Sequence, residues 1–430
     1  MQKWKEEYKK KLKTPDEAVT AIKSGDRVVL AHACGEPQVL VKALVDRAPE
    51  LEDVEIVHMV AMGKAEYCKP GMEKHFRHNS LFVGATTREA VQQGRADYTP
   101  CFFSEIPRLF REGYLPVDVA LIQVSPPDRH GFVSLGISVD YTKAAAECAK
   151  TVIAQVNPLM PRTYGESFLH ISQIDILVEY EEPLIELPRP SIGDVERRIG
   201  EFVAELIDDG ATLQLGIGAI PDAVLSFLKD KKDLGIHTEM FSDGVVELYE
   251  AGVITNMAKS INRGKMVATF LMGTSKLYEF VDSNPAVSMH PVDYTNDPCI
   301  IGQHEKMISI NSALQVDLLG QVCADTIGFR QYSGVGGQVD FVRGASRSKG
   351  GKSIIAMPST AAKGTVSRIV PFIDKGAAVT TSRNDVHYVV TEYGIAELRG
   401  KSVRKRAEVL ISVAHPDFRN ELRRVWMSNF

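Results

Sequence analysis

The chain has 430 residues, 24% of them charged and 44% hydrophobic, with a formal net charge of −5. This length predicts two or three separate cores in an ordinary soluble globular protein. The mild negative charge offers no attraction to nucleic acid or to an anionic membrane surface. No apolar run approaches the length of a membrane-spanning helix, and the first residues lack the apolar stretch of a signal peptide. We therefore expect a cytoplasmic protein that binds neither nucleic acid nor membrane.

The six cysteines lie far apart and form no C-x-x-C pair. A chain of this size does not need disulfides, so we expect reduced thiols in a reducing compartment, packed like small hydrophobic side chains. Cys68, His75 and His78 have neither a fourth partner nor the tight spacing of a metal site. We therefore expect no metal at these residues.

The first clear helix signal is Thr14-Pro15-Asp16-Glu17, which combines an N-cap, a proline at the first helical position and a glutamate placed for a capping box. This helix should end at Gly25. A buried strand over residues 28–31 follows and ends in a loop over 32–37. Apolar strands then alternate with amphipathic helices, and this rhythm predicts an α/β fold with a mostly parallel sheet. The further predicted strands cover residues 54–59, 81–83, 117–123, 151–155 and 174–179.

A proline-rich stretch over residues 182–190 cannot continue a helix or a central strand, and it predicts an inter-domain linker. We therefore place an N-terminal domain at 1–190 and a C-terminal domain at 191–430. The second domain opens with a strongly amphipathic helix over 195–207, which Gly210 ends.

The two halves share an order of features. Ile-x-x-Gly, a strand and a glycine–proline turn occur at residues 22–37 and again at 207–221. We interpret this as a duplicated α/β unit, although a single weak self-match also arises by chance. Two related open sheets facing each other would place their strand-end loops, and hence the active site, at a shared inter-domain cleft.

One candidate for chemistry is the run Gly216-Ile217-Gly218-Ala219-Ile220-Pro221, which follows a predicted strand and precedes a helix. Glycines here let backbone N–H groups approach a ligand, and a helix N-terminus favours an anion. Such turns occur in many α/β proteins, and this one lacks the third glycine of the dinucleotide-binding fingerprint.

A second candidate is Glu239, which lies at the end of a predicted strand before a turn of small residues. Most acidic residues of a soluble chain are simply solvated surface charges. The stretch 236–246 around Glu239 is otherwise mostly apolar and contains no Lys or Arg. We therefore expect a poorly solvated carboxylate, as a carboxylate nucleophile requires.

A third candidate is the glycine loop over residues 332–341, which could present consecutive N–H groups to an oxyanion. A flexible surface loop is the alternative, but the loop ends in Val339-Asp340-Phe341, which is typical of a packed segment. Downstream, Gly350-Gly351-Lys352-Ser353 resembles the end of a phosphate-binding loop. Position 346 is Ser where that motif requires Gly, so we reject it.

Together these segments resemble the family I CoA-transferases, in the branch that contains 4-hydroxybutyrate CoA-transferase and acetyl-CoA hydrolase/transferase. The resemblance extends over essentially the whole chain. Beyond the three segments above, its motifs lie at residues 32–37, 125–131, 157–165, 310–314, 357–364 and 389–394.

The resemblance implies a ping-pong reaction through a covalent thioester. Glu239 would attack the thioester carbonyl of an acyl-CoA, giving a mixed anhydride and CoA thiolate. The thiolate would attack the glutamyl carbonyl, giving glutamyl-CoA and releasing the first carboxylate, and a second carboxylate would reverse these steps. Main-chain N–H groups near Gly35 and from Gly337 would stabilise the oxyanions. Acyl-CoA is then a substrate, and no permanently bound cofactor is expected.

The resemblance also assigns binding residues. His32 and Glu36 either hydrogen-bond a substrate hydroxyl or only satisfy buried backbone. Lys363 either pairs with a CoA phosphate or is simply solvated, and the basic residues near 343–352 have the same two interpretations. The CoA-binding positions are Gly216, Ile217, Gly218, Ala219, Ile220, Asn311, Leu314, Gly334, Gly336, Gly337 and Lys363. The acyl-pocket positions are His32, Glu36, Met59, Met62 and Arg88.

The acids exchanged would be short, such as 4-hydroxybutyrate, butyrate and acetate, and the protein would form a homodimer or a higher homo-oligomer. Three alternatives stay open from the sequence. One is an acyl-CoA hydrolase that uses the same thioester but admits water. Another is a sugar-phosphate isomerase or deaminase, which related folds also host. The last is a non-catalytic CoA- or nucleotide-binding protein.

Overall fold

The computed structural model describes residues 3–429 and divides the chain into two compact units. The first comprises Met1–Pro188 and Val267–Thr295, and the second comprises Arg189–Met266 and Asn296–Phe430. The first unit thus ends just before the predicted boundary after residue 190, but it also takes in a segment that the prediction placed in the second domain. That segment is tied to the first unit by the carbonyl of Thr269, which accepts the N–H groups of Val139 and Asp140.

The helices are short, and none among residues 3–429 is long and apolar enough to span a membrane. In chain order the helices are α1 (Lys3–Lys11), α2 (Pro15–Ala18), α3 (Gln38–Asp46), α4 (Arg88–Gln92), α5 (Ile106–Arg111), α6 (Thr142–Cys148), α7 (Asp194–Glu205), α8 (Ala219–Ser226), α9 (Asp243–Glu250), α10 (Ser275–Val281), α11 (Val292–Thr295), α12 (Pro298–Ile301), α13 (Gln338–Arg347), α14 (Val403–Val413) and α15 (Pro416–Asn429).

The first unit is built on a seven-stranded sheet in which every neighbouring pair is parallel. Its strand order is β4-β3-β2-β1-β5-β6-β7. Helix α3 and the strands it covers form one apolar core. The strands are β1 (Arg27–Leu30), β2 (Val54–His58), β3 (Phe76–Ser80), β4 (Asp97–Tyr98), β5 (Val119–Val124), β6 (Thr151–Val156) and β7 (Ile176–Glu179).

The second unit is built on a six-stranded sheet of order β9-β8-β10-β11-β12-β13. All neighbours are parallel except the final antiparallel pair. Helix α14 packs against this sheet in a second apolar core. The strands are β8 (Thr212–Leu215), β9 (Gly235–Ile236), β10 (Met307–Asn311), β11 (Lys352–Ala356), β12 (Tyr388–Thr391) and β13 (Gly394–Glu397).

Short strands outside the two sheets complete the fold. They are Phe132–Ser134, Phe168–His170, Met240–Phe241, Met266–Ala268, Phe270–Leu271, Val287–Met289, Gln315–Asp317, Val322–Cys323, Thr326–Ile327, Arg330–Gln331, Thr360–Ala361, Val366–Ser367 and Ile369–Val370.

The predicted α/β class with parallel sheets is confirmed, and one predicted strand is wrong. Residues 81–83 form no strand; the strand lies directly before them, at β3 (Phe76–Ser80). β3 escaped the hydrophobic pattern because it buries polar residues, His78, Asn79 and Ser80. Two of these side chains have hydrogen-bond partners: Nδ1 of His78 lies 3.0 Å from the carbonyl oxygen of Ile56, and Nδ2 of Asn79 donates to Oε1 of Glu55 over 2.8 Å.

In each sheet the order of the strands reverses beside the strand that comes first in the chain. Within that sheet, the loops after the two strands at this point lie next to each other. In the first unit β1 lies between β2 and β5, and in the second β8 lies between β9 and β10. Ligands of open α/β sheets bind beyond the carboxyl ends of the strands at such a switch point. The loops after β1 and β8 are the places where the sequence analysis located candidate residues.

A close helix contact in the second unit depends on glycine. A Cβ on Gly200 of α7 would lie 2.8 Å from the carbonyl carbon and 2.9 Å from Cβ of Ala223 in α8. Both distances are shorter than van der Waals contact, so the two helices would have to separate.

We expect Gly200→Val to lower the free energy of unfolding by about 2 kcal/mol, because overpacking a tight contact outweighs the better helix propensity of valine. Urea denaturation would measure this. Glu205→Val, at an exposed position of the same helix, is the control and should change stability by less than about 0.5 kcal/mol. A Gly200→Val protein as stable as its parent would contradict the packing described here.

Candidate active site

Glu239 lies in the second unit, half-buried, in the short connection after β9. The preceding residue anchors this connection. The hydroxyl of Thr238, which is fully buried, donates to the Met240 carbonyl over 2.9 Å and accepts from the N–H of Leu215 over 3.3 Å. The connection is therefore tied to the carboxyl end of β8, one residue before the Gly216 turn.

A neutral donor holds the Glu239 carboxylate. Nδ2 of Asn296 donates to Oε2 of Glu239 over 2.9 Å, and Asn296 is fully buried. Asn296 owes its position to the start of α12, where the next residue, Asp297, caps the helix by accepting from the N–H of Cys299 over 2.7 Å. An amide orients a carboxylate without neutralising its charge, as a nucleophile requires.

Gly337 packs its backbone against the same carboxylate. A Cβ at this position would lie 2.0 Å from Oε2 of Glu239 and 2.4 Å from Nδ2 of Asn296. The φ of Gly337 is −95°, which any residue can adopt. The glycine is therefore required by space and not by backbone conformation.

The glycine loop is ordered against the unit and leads into α13. Gln338, the first residue of α13, is buried; its Nε2 donates to the Ser312 carbonyl over 2.6 Å. Val339, Asp340 and Phe341 are buried, as expected for a packed segment. Within residues 3–429, the N–H groups of residues 334–337 donate to no acceptor. They are available to an oxyanion or a phosphate.

Two of the predicted CoA-binding loops meet at the switch point of this sheet. Gly216 follows Leu215, and Leu215 pairs with Ile310, which precedes Asn311. The Asn311 side chain is fixed by Gln214, whose Oε1 accepts from Nδ2 of Asn311 over 3.2 Å. Residues 216–218 form the turn before α8, as predicted, with Ile217 exposed.

The other predicted CoA contacts lie farther along the chain. Leu314 is half-buried, and its N–H donates to the Cys323 carbonyl over 2.8 Å. Lys363 is exposed in a turn at a φ of 57°. The basic residues near the glycine loop are engaged elsewhere: Lys349 pairs with Glu305 and Lys352 with Asp208, each at 3.1 Å. These pairs favour the surface-charge interpretation of that cluster.

In the first unit, Gly35 lies in the turn after β1. A Cβ there would lie 2.5 Å from Cβ of Ser138, so the backbone requires glycine at this approach. The Gly35 N–H donates to the His32 carbonyl over 2.9 Å. Its use in an oxyanion hole would therefore require this turn to open.

His32 is a fully buried histidine with partners of its own. Its Nδ1 lies 3.1 Å from Oδ2 of Asp140, and its N–H donates to the hydroxyl of Ser138 over 3.0 Å. Its ring packs against Phe270 with centroids 4.4 Å apart. Of the two interpretations of His32, this geometry favours the structural one.

Glu36 is buried and differs from an ordinary carboxylate. Its Oε2 accepts from the N–H of Gly63 over 3.2 Å and lies 3.9 Å from Nδ1 of His58. Burial raises the pKa of Glu36 to about 7. The side chain also borders a cavity of about 170 Å³ together with Lys64 and Glu182. Near neutral pH this carboxyl group can therefore carry a proton and donate it to a hydroxyl.

The remaining acyl-pocket candidates come from the loops after β2 and β3. Met59 is buried, and its N–H donates to the hydroxyl of Tyr141 over 3.3 Å. Met62 and Arg88 are half-buried. The loops after β1 and β2 touch through a bridge between Ala33 and Ala61. The five candidates thus follow the carboxyl ends of β1, β2 and β3, and His32, Glu36 and Met59 are buried there.

The sequence analysis missed Asn296 and Thr238, both of which position Glu239. Asn296 stands just before Asp297-Pro298, which is a helix-start signal, so the turn itself was detectable. Its contact with Glu239 was not, since the two residues are 57 positions apart.

Comparison with known proteins identifies the family of this chain. The acetyl-CoA hydrolase/transferase N-terminal domain model matches residues 1–187, and the C-terminal domain model of the same name matches residues 273–425. The chain is 63% identical to 4-hydroxybutyrate coenzyme A transferase of Clostridium kluyveri over 99% of its own length and 100% of that protein. It is 44% identical to butyryl-CoA:acetate CoA-transferase of Anaerostipes caccae, with 97% of this chain and 96% of that one aligned.

A solved structure agrees. The crystal structure of 4-hydroxybutyrate CoA-transferase from Porphyromonas gingivalis superposes with a TM-score of 0.87 at 45% identity, covering 99% of this chain and 100% of that one. The match therefore extends over both units. The resemblance found in the sequence is confirmed, and the chain belongs to the acetyl-CoA hydrolase/transferase family.

Proposed function

We propose that this protein moves coenzyme A between short-chain carboxylates by way of a thioester on Glu239. As a member of its family, the protein is an acyl-CoA:carboxylate CoA-transferase. Its substrates are the CoA esters of 4-hydroxybutyrate, butyrate and acetate, the acids in the names of its relatives. The assignment of the thioester to Glu239 rests on the geometry around that carboxylate.

The contact of Glu239 with Asn296 and Gly337 carries this proposal. The nucleophile of a CoA-transferase must be a carboxylate that is oriented but not neutralised by a cation. Asn296 supplies a neutral hydrogen bond of 2.9 Å to one oxygen, and the nearest backbone is a glycine followed by a helix. The other oxygen, Oε1, is the attacking atom in our mechanism.

The reaction balances without an external energy source. Glu239 Oε1 bonds to the acyl carbon, and the C–S bond breaks, which gives a mixed anhydride and CoA thiolate. The thiolate then bonds to the glutamyl carbon, and the acid leaves as a carboxylate. The N–H groups of residues 334–337, led by Gly337, stabilise each oxyanion; one such donor contributes on the order of 3 kcal/mol to a transition state.

We assign the CoA side to the C-terminal domain, 191–430, and the acyl side to the N-terminal domain, 1–190. The turn at Gly216 and the end of β10 at Asn311 form the switch point where an open sheet binds its ligand. Glu36 is the acyl-side residue best placed to meet a substrate hydroxyl. The duplication of the two domains, their shared cleft and the homo-oligomer remain predictions within this proposal.

Glu239→Ala should reduce transfer to below about 10⁻³ of the parent rate, because no other carboxylate replaces the nucleophile. Glu239→Asp should lose roughly 10²-fold, since the shorter side chain misplaces the attacking oxygen. The measurement is mass spectrometry after mixing the protein with butyryl-CoA and no acceptor acid. A CoA adduct should appear on the peptide that carries Glu239 and disappear when acetate is added, giving acetyl-CoA.

Glu305→Gln, an exposed glutamate of the same unit, is the control and should form the adduct at the parent rate. An adduct that decays in water as fast as in acetate would identify a hydrolase with the same intermediate. Undiminished transfer by Glu239→Ala would refute the mechanism.

Gly337→Ala should slow adduct formation about 10²-fold, because the new methyl group would occupy the space of Oε2 of Glu239. Rapid-quench mass spectrometry of the adduct would measure the rate. The backbone conformation of Gly337 suits any residue, so the variant should fold. Gly84→Ala is the control, since its Cβ would meet nothing closer than 3.8 Å. Equal rates for the two variants would contradict the packing of Gly337 on the nucleophile.

Glu36→Leu should lower selectivity for 4-hydroxybutyrate over butyrate about tenfold, because one hydrogen bond to the hydroxyl is lost. The readout is the ratio of the two kcat/KM values, which cancels any common loss of folded protein. Lys64→Met, at the exposed rim of the same cavity, should leave the ratio unchanged. A ratio that Glu36→Leu does not alter would remove Glu36 from the acyl pocket.

A further inference from the structure

Glu239 follows the outermost strand of its sheet. β9 lies at the edge, paired with β8 alone among the sheet strands. On the side that faces β8, Gly235 donates to the Ala211 carbonyl and His237 to the Leu213 carbonyl. The peptide groups of Ile236 point the other way, towards the side on which the backbone of Leu234 bonds to residues 253–256.

Two side chains complete the bonding at this edge. The N–H of Ile236 donates to Oδ1 of Asn256 over 2.9 Å, and the carbonyl of Ile236 accepts from Nζ of Lys259 over 2.8 Å. The same ammonium group donates to the Lys265 carbonyl over 2.6 Å. Asn256 is fully buried and Lys259 is 4% exposed. Together they continue, at Ile236, the pairing that the backbone of residues 253–256 makes with Leu234.

Burying a lysine at this position costs free energy. No carboxylate among residues 3–429 forms an ion pair with Lys259, whose hydrogen-bond acceptors are the two backbone carbonyls. A buried charge without a counter-ion is strongly disfavoured, and a side chain that only filled space would be apolar. Gly235 makes room for it, because a Cβ there would lie 2.5 Å from Cγ of Lys259. Lysine contributes a long side chain whose Nζ donates hydrogen bonds to two backbone carbonyls.

We propose that Lys259, with Asn256, is a positioning residue of the transfer reaction: it fixes the end of β9 and thereby holds the Glu239 carboxylate in register with Asn296 and Gly337. The inference rests on the proposed role of Glu239. Only the residues 237 and 238 separate the clamped peptide of Ile236 from the nucleophile. Misplacing a reacting atom by about 1 Å costs roughly 10²-fold in rate.

The burial of Lys259 should make the free energy of unfolding depend on pH. Burial lowers the pKa of Lys259 to about 7 from an ordinary value of 10.5. Between these values the unfolded chain holds a proton that the folded chain does not, so this group makes the free energy of unfolding rise with pH from about 7 to about 10.5. A titratable group that interacts with its charge is His304, which packs against His237. Burial and the Lys259 charge lower the pKa of His304 to about 3, so it stays neutral throughout this window.

The test uses Lys259→Met, which keeps the length of the side chain and removes its donors. With butyryl-CoA in a single turnover, the rate of CoA adduct formation on Glu239 should fall at least about tenfold per folded molecule. The KM for butyryl-CoA should stay within about twofold, because none of the residues assigned to CoA binding belongs to β9. The rise in unfolding free energy between pH 7 and pH 10.5 should be smaller than in the parent.

Lys231→Met is the matched control, since Lys231 also donates to a carbonyl of this unit, that of Ile207, over 2.6 Å. It should leave both the adduct rate and the pH dependence unchanged. If Lys259→Met does not fold, Lys259→Gln, which keeps a neutral donor, is expected to fold and to show the slower adduct formation.

Three results are distinguishable. A parent protein that forms no adduct on Glu239 would refute the proposed function itself. A parent that forms it, with a folded Lys259 variant that forms it equally fast, would overturn the role of Lys259 alone. A variant that loses stability but keeps the parent rate per folded molecule would make Lys259 merely structural, which also overturns the inference.

Discussion

The contact between the Glu239 carboxylate, the Asn296 amide and the Gly337 backbone is the constraint on which the proposed active site depends. A carboxylate nucleophile must be held without losing its charge. An ammonium or guanidinium partner would hold it firmly but would stabilise the ground state, whereas an amide donates a hydrogen bond and carries no charge of its own. The glycine then allows the helix start behind it to approach closely enough for its N–H groups to meet the developing oxyanion.

The residues that hold this contact in place lie at the ends of strands and the starts of helices. Thr238 ties the nucleophile's connection to β8, the cap at Asp297 fixes Asn296, and Gln338 joins the start of α13 to the loop after β10. A parallel sheet brings them together because the carboxyl ends of its strands meet at one edge, and the change of direction at β8 opens a crevice there.

The sequence predicted the parts of this arrangement whose signals are local. The turn at Gly216 and the apolar surroundings of Glu239 were visible because strand, glycine turn and helix follow each other within a few residues. The partnership with Asn296 was not, because its members are distant in the chain and an isolated asparagine is ordinary in a turn. β3 was displaced in the prediction because its buried residues are polar, so that hydropathy pointed to the apolar residues just after it. The return of residues 267–295 to the first unit has no compositional signal, since it is fixed by backbone hydrogen bonds such as those to Thr269.

The chemistry requires the groups around the nucleophile to suit every substrate, whereas the groups that meet the rest of the acid can differ between such enzymes. In the proposed mechanism both half-reactions pass through the same glutamyl thioester, so the groups around Glu239 would meet CoA and a carboxyl group whichever acid is exchanged. Only the remainder of the acid differs, and discrimination by a missing methylene is worth about 1–3 kcal/mol, whereas a buried polar group left unpaired discriminates more strongly. In our proposal Glu36 provides such a polar group on the acyl side: it is buried, burial raises its pKa to about 7, and its Oε2 accepts from the N–H of Gly63. A hydroxylated acid could satisfy it and an unsubstituted acid could not. We therefore expect the buried polar groups of the first unit, and not the surroundings of Glu239, to distinguish 4-hydroxybutyrate from butyrate.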